Sequence, residues 1–212
     1  MVNVADPVGT GLVSNLQRPG GNITGVSNFV GDMTPKLFDL LRGTVRGLAR
    51  VAVLWNPENQ SAHTMMKGAD VAAQKLGVQL LRVSARNVNE IDQAFVQMTH
   101  GQSEALLVLA EPLFFANRVK VVDLALKARL ASIYNTREYA EAGGLMTYGA
   151  NIPEGYRYAA RYVDKILKGA KPGDLPVEQV SKVEFVVNLK TAKALGLAIP
   201  QSILVLADQV IQ

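Results

Sequence analysis

The chain has 212 residues, of which 49% are hydrophobic and 19% charged, with a formal net charge of +4. That length suffices for one large domain or two small lobes, and the balance is that of an ordinary globular protein. The absence of cysteine excludes disulfides and thiolate metal sites. The basic residues are scattered over helix faces, which disfavours a nucleic-acid-binding protein.

Predicted strands and helices alternate along most of the chain. They are, in order, a strand at 2–5, a helix at 12–17, an extended connector at 23–26, a helix at 34–48, a strand at 50–55, a helix at 59–76, a strand at 78–83, a helix at 89–99, a strand at 105–110, a helix at 113–128 and a strand at 131–134. This order predicts an α/β protein with a parallel sheet and helices on both of its faces.

The pattern changes after Gly149. A long amphipathic helix is predicted from Ile152 to Gly169, followed by a loop at 171–176, a segment of strand character at 177–187, and helices at 188–195 and 201–210. We interpret this segment as a return of the chain to a different lobe.

Polar and aromatic residues are predicted at the ends of several strands. Asp6-Pro7, Trp55-Asn56-Pro57 and the stretch from Arg137 to Gly149 occupy such places. Small ligands bind at the carboxyl ends of the strands in open α/β sheets. No group of residues there has the chemistry of a covalent catalyst, so the pattern predicts a binding protein and not an enzyme.

Asn56, Ser61 and Glu111 are candidate ligand-binding residues. Asn56 and Ser61 flank the start of a helix, whose free N–H groups suit a ligand carboxylate. The alternative is plain helix capping by Asn56, Asn59 or Ser61. Glu111 follows a strand and suits a ligand ammonium group. Its alternative roles are a first-turn helix acid and an ordinary surface charge.

Tyr134 and Tyr148 end neighbouring strand segments. Each offers an aromatic face and a hydroxyl to an aromatic ligand, or else packs in the core. Asp6 either caps the helix that follows it or faces a ligand. Thr24 and Asn151, together with Asn28, are candidates for hinge or ligand contacts.

Cofactor and metal motifs are missing from the sequence. His63 and His100 lie far apart and have no metal-ligand spacing. The glycines at 9–11 lack the third glycine of a dinucleotide fingerprint, and there is no Walker loop or nucleophile elbow. We expect no cofactor and no metal.

Several motifs occur together in a characteristic order: Asp6-Pro7-Val8-Gly9, the run at 18–26, Trp55-Asn56-Pro57, the run at 138–149, and the tail segments at 165–172, 175–179 and 188–197. In this order the chain closely resembles the ABC-transporter substrate-binding proteins assigned to tryptophan or tyrosine transport, which have a type I periplasmic-binding-protein-like fold. The resemblance covers nearly the whole chain.

The resemblance implies two Rossmann-like α/β lobes that are joined by crossover strands and close on a ligand. It implies a complete lobe at 29–148 and a partial first lobe made of 1–28 and 149–212. Relatives are longer and carry a signal sequence, which is not expected here. Missing first-lobe strands would leave an unpaired sheet edge and exposed apolar surface. We therefore expect self-association through the incomplete lobe.

The leading hypothesis is non-catalytic binding of a small solute, an amino acid or a relative, with an aromatic one favoured by the nearby tyrosines. The resemblance implies ABC-transporter membrane subunits as partners and a periplasmic or extracytoplasmic location. Three alternatives remain. They are a sensor domain that controls a regulator or kinase, an isomerase or racemase using Glu111 and Glu138, and a truncated product that only folds and associates.

Overall fold

The computed structural model describes residues 1–2, 4, 6–27, 33–179 and 183–212. The chain divides into two units by its internal contacts. The smaller unit comprises Met1–Gly31 and Ala150–Val183, and the larger unit comprises Asp32–Gly149 and Glu184–Gln212. Asn28, predicted as a hinge or ligand contact, lies outside the described residues.

Strands and helices are numbered along the chain. The strands are β1 (Val26–Ser27), β2 (Arg50–Trp55), β3 (Gln79–Ser84), β4 (Ala105–Val108), β5 (Ala131–Tyr134), β6 (Met146–Ala150), β7 (Glu178–Gln179), β8 (Val183–Asn188) and β9 (Gln209–Ile211). The helices are α1 (Thr34–Thr44), α2 (Gln60–Leu76), α3 (Val88–His100), α4 (Pro112–Ala116), α5 (Arg118–Lys127), α6 (Arg137–Glu141), α7 (Ile152–Leu167), α8 (Leu189–Leu195) and α9 (Gln201–Leu204).

The larger unit is built on a seven-stranded sheet with the order β3-β2-β4-β5-β6-β8-β9. β2 pairs in parallel with β3 and β4, β4 with β5, β5 with β6, and β8 with β9. The predicted α/β class with a parallel sheet is therefore confirmed. Because these strands are parallel, the ends of β2, β4 and β5 lie along one edge of the sheet, the carboxyl edge.

The central strands are buried on both faces, which explains their continuous apolar sequences. Every residue of β4 and β5 is buried. The main core cluster joins apolar residues of β2 and β4 to aromatic residues of the covering helices, including Phe95 of α3 and Phe114 of α4. Burial of each such side chain stabilises the fold by roughly 1.5–3 kcal/mol.

The smaller unit contains a two-stranded sheet in which β1 and β7 pair in parallel, with Val26 opposite Glu178. α7 packs on this sheet through Tyr162, which contacts Val26 and donates a hydrogen bond to the Pro176 carbonyl at 2.5 Å. Burial is the main cause that raises the pKa of Tyr162 to about 12. Residue 25 must be glycine because its φ is +141° and a Cβ would collide with the Met1 carbonyl.

Three elements predicted in the first 128 residues differ in the structure. Residues 12–17 form bends and coil in place of a helix. Of the described residues in the predicted strand at 2–5, Val4 forms an isolated bridge to Ser27. The predicted helix at 113–128 is two helices, α4 and α5. It breaks at Asn117, whose side chain donates to the Leu113 carbonyl at 2.8 Å and whose backbone is not helical.

The C-terminal segment is the main correction to the predicted domains. Residues 184–212 belong to the larger unit and not to the smaller one. β8 lies between β6 and β9, and Asn188 fixes it there by donating its backbone N–H to the Leu145 carbonyl at 2.9 Å. The predicted helix at 201–210 is the short α9 followed by β9, because the chain pairs again with β8.

Candidate functional site

The end of β2 leads into a tight polar turn at the carboxyl edge. Asn56 is 8% exposed, and its Oδ1 atom accepts a hydrogen bond from the Glu58 backbone N–H at 3.0 Å. This side chain therefore shapes the turn that presents the start of α2. Both roles suggested by the sequence, a cap-like bond and a place near a ligand, fit this position.

Asn59 connects the two predicted site residues Ser61 and Glu111. Its Oδ1 atom accepts from the Ser61 backbone N–H at 3.0 Å, so Asn59 caps α2. Its Nδ2 atom donates to the Glu111 carboxylate at 2.7 Å. Glu111 in turn caps α4 by accepting from the Leu113 N–H at 3.4 Å. The Asn59 side chain thus links the Glu111 carboxylate to the start of α2, a helix of 17 residues.

We call Asn56, Asn59, Ser61 and Glu111 the strand-end site. Its residues combine a carboxylate with a helix N-terminus, where backbone N–H groups and the helix dipole favour an anion. Asn59 was predicted only as a cap. Its second bond, to Glu111, joins residues 52 positions apart and has no local sequence signal.

Trp55 and His63 form an aromatic pair beside this site. Their ring centroids are 5.3 Å apart and their planes are nearly perpendicular. The His63 Nε2 atom lies 2.9 Å from the Pro57 carbonyl oxygen, which holds the imidazole against the turn. Trp55 remains half-buried, so part of its indole surface is open.

Tyr134 is a core residue, which corrects its prediction as a ligand-binding side chain. It is fully buried and stacks on Tyr139 with centroids 4.4 Å apart. Burial raises the pKa of the Tyr134 hydroxyl well above its usual range, and the nearby Ser132 hydroxyl partly offsets this. A side chain with no exposed surface offers no face for a ligand to stack on.

A charged cluster surrounds Tyr139, next to the strand-end site. Burial is the main cause that raises the pKa of the Tyr139 hydroxyl; Arg118 opposes the rise, and Glu111 and Glu138 add to it. Arg118 lies over the Phe115 ring at 5.1 Å. The Oε2 atom of Glu138 is buried without a hydrogen-bond partner in the described part of the chain.

This cluster was missed as a unit by the sequence reasoning. Glu138 was considered only as an acid for an enzyme, and Arg118 was not singled out. Their proximity follows from α4, α5 and α6 meeting beyond the ends of β4 and β5, which local patterns do not encode. The arrangement can bind charged groups through hydrogen bonds and ion pairs.

Tyr148 keeps partial exposure on β6. Its ring makes an edge-to-face contact with Phe185 at 6.1 Å between centroids. The flanking residues Thr147 and Gly149 are buried, whereas Tyr148 is partly exposed. Because successive residues of a strand face opposite sides of the sheet, Tyr148 lies on the more open side. Of the two predicted tyrosines, only Tyr148 has surface available to a ligand.

The predicted site residues of the smaller unit make hydrogen bonds within that unit. The Asp6 carboxylate accepts from the Gly9 N–H at 2.8 Å, and the Thr24 hydroxyl donates to the Leu175 carbonyl at 2.7 Å. Asn151 caps α7 by accepting from the Glu154 N–H at 2.8 Å. Each therefore has a structural role, and its ligand contact stays a prediction.

Two grooves on the described part of the chain contain none of the strand-end site residues. A groove of about 610 Å³ is lined by Arg42, Arg46, Leu48 and Pro200, near the start of β2 and away from its polar end. Within the described ranges, no three His, Asp or Glu residues are grouped to hold a metal ion. No described helix is long and apolar enough to cross a membrane.

The family model described as ABC transporter substrate binding protein matches residues 1–211. A protein described as tyrosine-binding protein, from Clostridioides difficile (strain R20291), is 25% identical over 198 residues, which are 93% of this chain. The chain spans only 56% of that relative's length.

The chain is also similar to solved structures of substrate-binding proteins. A structure titled as the ABC domain in complex with L-Trp, from Streptococcus pneumonia, has a TM-score of 0.90 and 27% identity, with coverage of 100% of this chain and 70% of that one. A ligand-free, open substrate-binding protein with adhesive properties, from Clostridium difficile, has a TM-score of 0.69 and 25% identity. That alignment covers 99% of this chain and 69% of that one.

Proposed function

Because this chain belongs to the ABC transporter substrate-binding protein family, we propose that it binds an amino acid or a related small solute for uptake by an ABC transporter. The observation that carries the proposal is the hydrogen bond from Asn59 to Glu111, which places a carboxylate beside the capped start of α2. Two similar proteins, one described as tyrosine-binding and one solved in complex with L-Trp, support an aromatic amino acid.

The chemistry of the strand-end site suits a zwitterion. A ligand carboxylate would bind at the start of α2, where Ser61 lies in the first turn. A ligand ammonium group would bind the Glu111 carboxylate, and charge-assisted hydrogen bonds of this kind are stronger than neutral ones. The half-buried rings of Trp55 and Tyr148 are available for an apolar or aromatic side group.

We expect this protein to bind and release its ligand without making or breaking a covalent bond in it. We expect ligand binding to favour a closed arrangement of the lobes, which membrane subunits of the transporter then recognise. Asp6, Thr24 and Asn151 are the contacts expected from the other lobe. An extracytoplasmic location is part of the same proposal and rests on the family.

The proposal is tested by calorimetry with L-Trp and L-Tyr, after a thermal-shift screen of the L-amino acids. A true ligand raises the melting temperature in a concentration-dependent way. Glu111→Gln should weaken binding at least about tenfold, because it removes a charged hydrogen-bond partner of the ammonium group.

Glu104→Gln is the matched control, since Glu104 lies at the opposite end of β4 and also accepts backbone hydrogen bonds. It should leave the affinity unchanged. Equal affinities for Glu111→Gln and the unmodified chain would contradict the assigned site. A complete lack of binding to any amino acid would contradict the ligand class.

A further inference from the structure

A cationic side chain lies over an aromatic ring next to the strand-end site. The guanidinium carbon of Arg118 is 5.1 Å from the centroid of the Phe115 ring, and the Arg118 Nη1 atom donates a hydrogen bond to the Phe115 carbonyl at 3.2 Å. Both residues are half-buried. The hydrogen bond fixes the guanidinium and leaves its other N–H donors and its charge available. We call Arg118 and Phe115 the stacked pair.

The stacked pair is adjacent to Glu111. The Phe115 backbone N–H donates to the Glu111 carbonyl at 3.0 Å, which places the two residues one helical turn apart. Tyr139 contacts the Phe115 ring edge-on, with 6.3 Å between centroids. Burial is the main cause of the raised pKa of the Tyr139 hydroxyl, and the charges of Arg118 and Glu111 make smaller, opposite contributions. Glu111, Phe115 and Arg118 are therefore neighbours at the carboxyl edge of the sheet.

The position of Arg118 is not explained by the stability of α5. Arg118 is the first residue of this helix, where the helix dipole favours an acidic side chain. The first turn contains no acid, and the Asn117 side chain does not cap the helix. Among the described residues, Arg118 takes part in none of the ion pairs. Its bond to the Phe115 carbonyl requires a donor but not a planar cation, so the guanidinium has a further role.

We propose that Arg118 selects aromatic ligands by placing its guanidinium between the Phe115 ring and the aromatic ring of the ligand. This inference rests on the proposed function, because it concerns the side group of the same amino acid. A guanidinium is planar and weakly hydrated, so aromatic rings stack on it. Phe115 covers one of its faces. A ligand whose ammonium group binds Glu111 brings its side group to Arg118, where the negative face of an aromatic ring is attracted. An aliphatic side group has no such face.

The test is calorimetry of the full 212-residue chain with L-Trp and with derivatives that carry increasing numbers of fluorine atoms on the indole ring. Fluorine withdraws electron density from the face of the ring. The affinity of the unmodified chain should therefore fall along this series, by about fivefold or more in total. Arg118→Met keeps an unbranched apolar side chain but removes the planar cation. It should weaken L-Trp binding by about fivefold or more and abolish the dependence on fluorine.

Arg161→Met is the matched control, because Arg161 on α7 also lies over an aromatic ring, that of Tyr158, at 4.9 Å. It should change the affinity for L-Trp by less than about twofold and keep the dependence on fluorine. Circular dichroism melts check that the variants are folded. The same dependence on fluorine in Arg118→Met and in the unmodified chain overturns the role of Arg118 and leaves the proposed function in place. Failure of the unmodified chain to bind L-Trp overturns this inference together with the aromatic ligand of the proposed function.

Discussion

Two glutamates at opposite ends of β4 have different partners. The Glu104 carboxylate accepts from the backbone N–H groups of Ala49 at 2.6 Å and Arg50 at 3.1 Å, which ties the start of β2 to β4. Glu111 accepts from the Asn59 side chain and lies among charged groups. We therefore assign Glu104 to the stability of the fold and Glu111 to the strand-end site.

Glu104 should make the fold sensitive to acid. The backbone hydrogen bond from Ala49 is the largest cause that lowers the pKa of Glu104, and burial partly opposes it. A carboxyl whose pKa is lower in the folded state stabilises the fold above its unfolded pKa of about 4.3. That stabilisation is lost as pH falls through the folded pKa.

The prediction is checked by urea unfolding between pH 7 and pH 3. The midpoint of the unmodified chain should fall more steeply on acidification than that of Glu104→Gln, whose amide does not titrate in this range. Parallel curves for the two proteins would show that Glu104 does not contribute this linkage.

Asparagine residues cap α2 and α3, the helices that follow the neighbouring strands β2 and β3. Only the cap of α2 also bonds to a residue at the start of another helix, α4. Asn59 caps α2 and also donates to Glu111. Asn87 caps α3 by accepting from the backbone N–H groups of Asn89 and Glu90, both at 3.1 Å. Capping itself is predictable from residue type and position, whereas the bond to Glu111 depends on how β2 and β4 are paired.

Replacement of either cap by alanine should lower the free energy of unfolding by about 1 kcal/mol, because an N–H group at the helix start loses its partner. Only Asn59→Ala should also weaken amino-acid binding, since it releases Glu111. Chemical denaturation measures the first effect and calorimetry the second. Weaker binding in both variants would indicate a general loss of structure instead of a local role for Asn59.

The two units of the molecule differ in how well their sheets are supported. The larger unit has seven strands, and its central strands β4 and β5 are entirely buried. The smaller unit has the two-stranded β1–β7 sheet, whose β7 residues are exposed. Two-stranded sheets are marginally stable and gain stability from packing against a helix, here α7.

Hydrogen exchange should therefore be slowest in β2, β4 and β5 and fastest, among the described strands, in β1 and β7. Exchange rates follow the free energy of local opening, which is smallest where few apolar contacts must be broken. Native-state exchange measured by mass spectrometry resolves these segments. Equal protection of β7 and β4 would mean that the two units open together.

The α/β class, the buried central strands and the start of α2 follow from the sequence, because apolar period, strand length and capping residues are local signals. The placement of 184–212 in the larger unit, the break at Asn117 and the burial of Tyr134 do not, since each depends on which distant segments pack together. The strand-end site likewise has features that the sequence predicts and one that depends on tertiary packing. Asn56, Ser61 and Glu111 are recognisable as strand-end and helix-start residues, but the bond between Asn59 and Glu111 requires β2 and β4 to lie side by side.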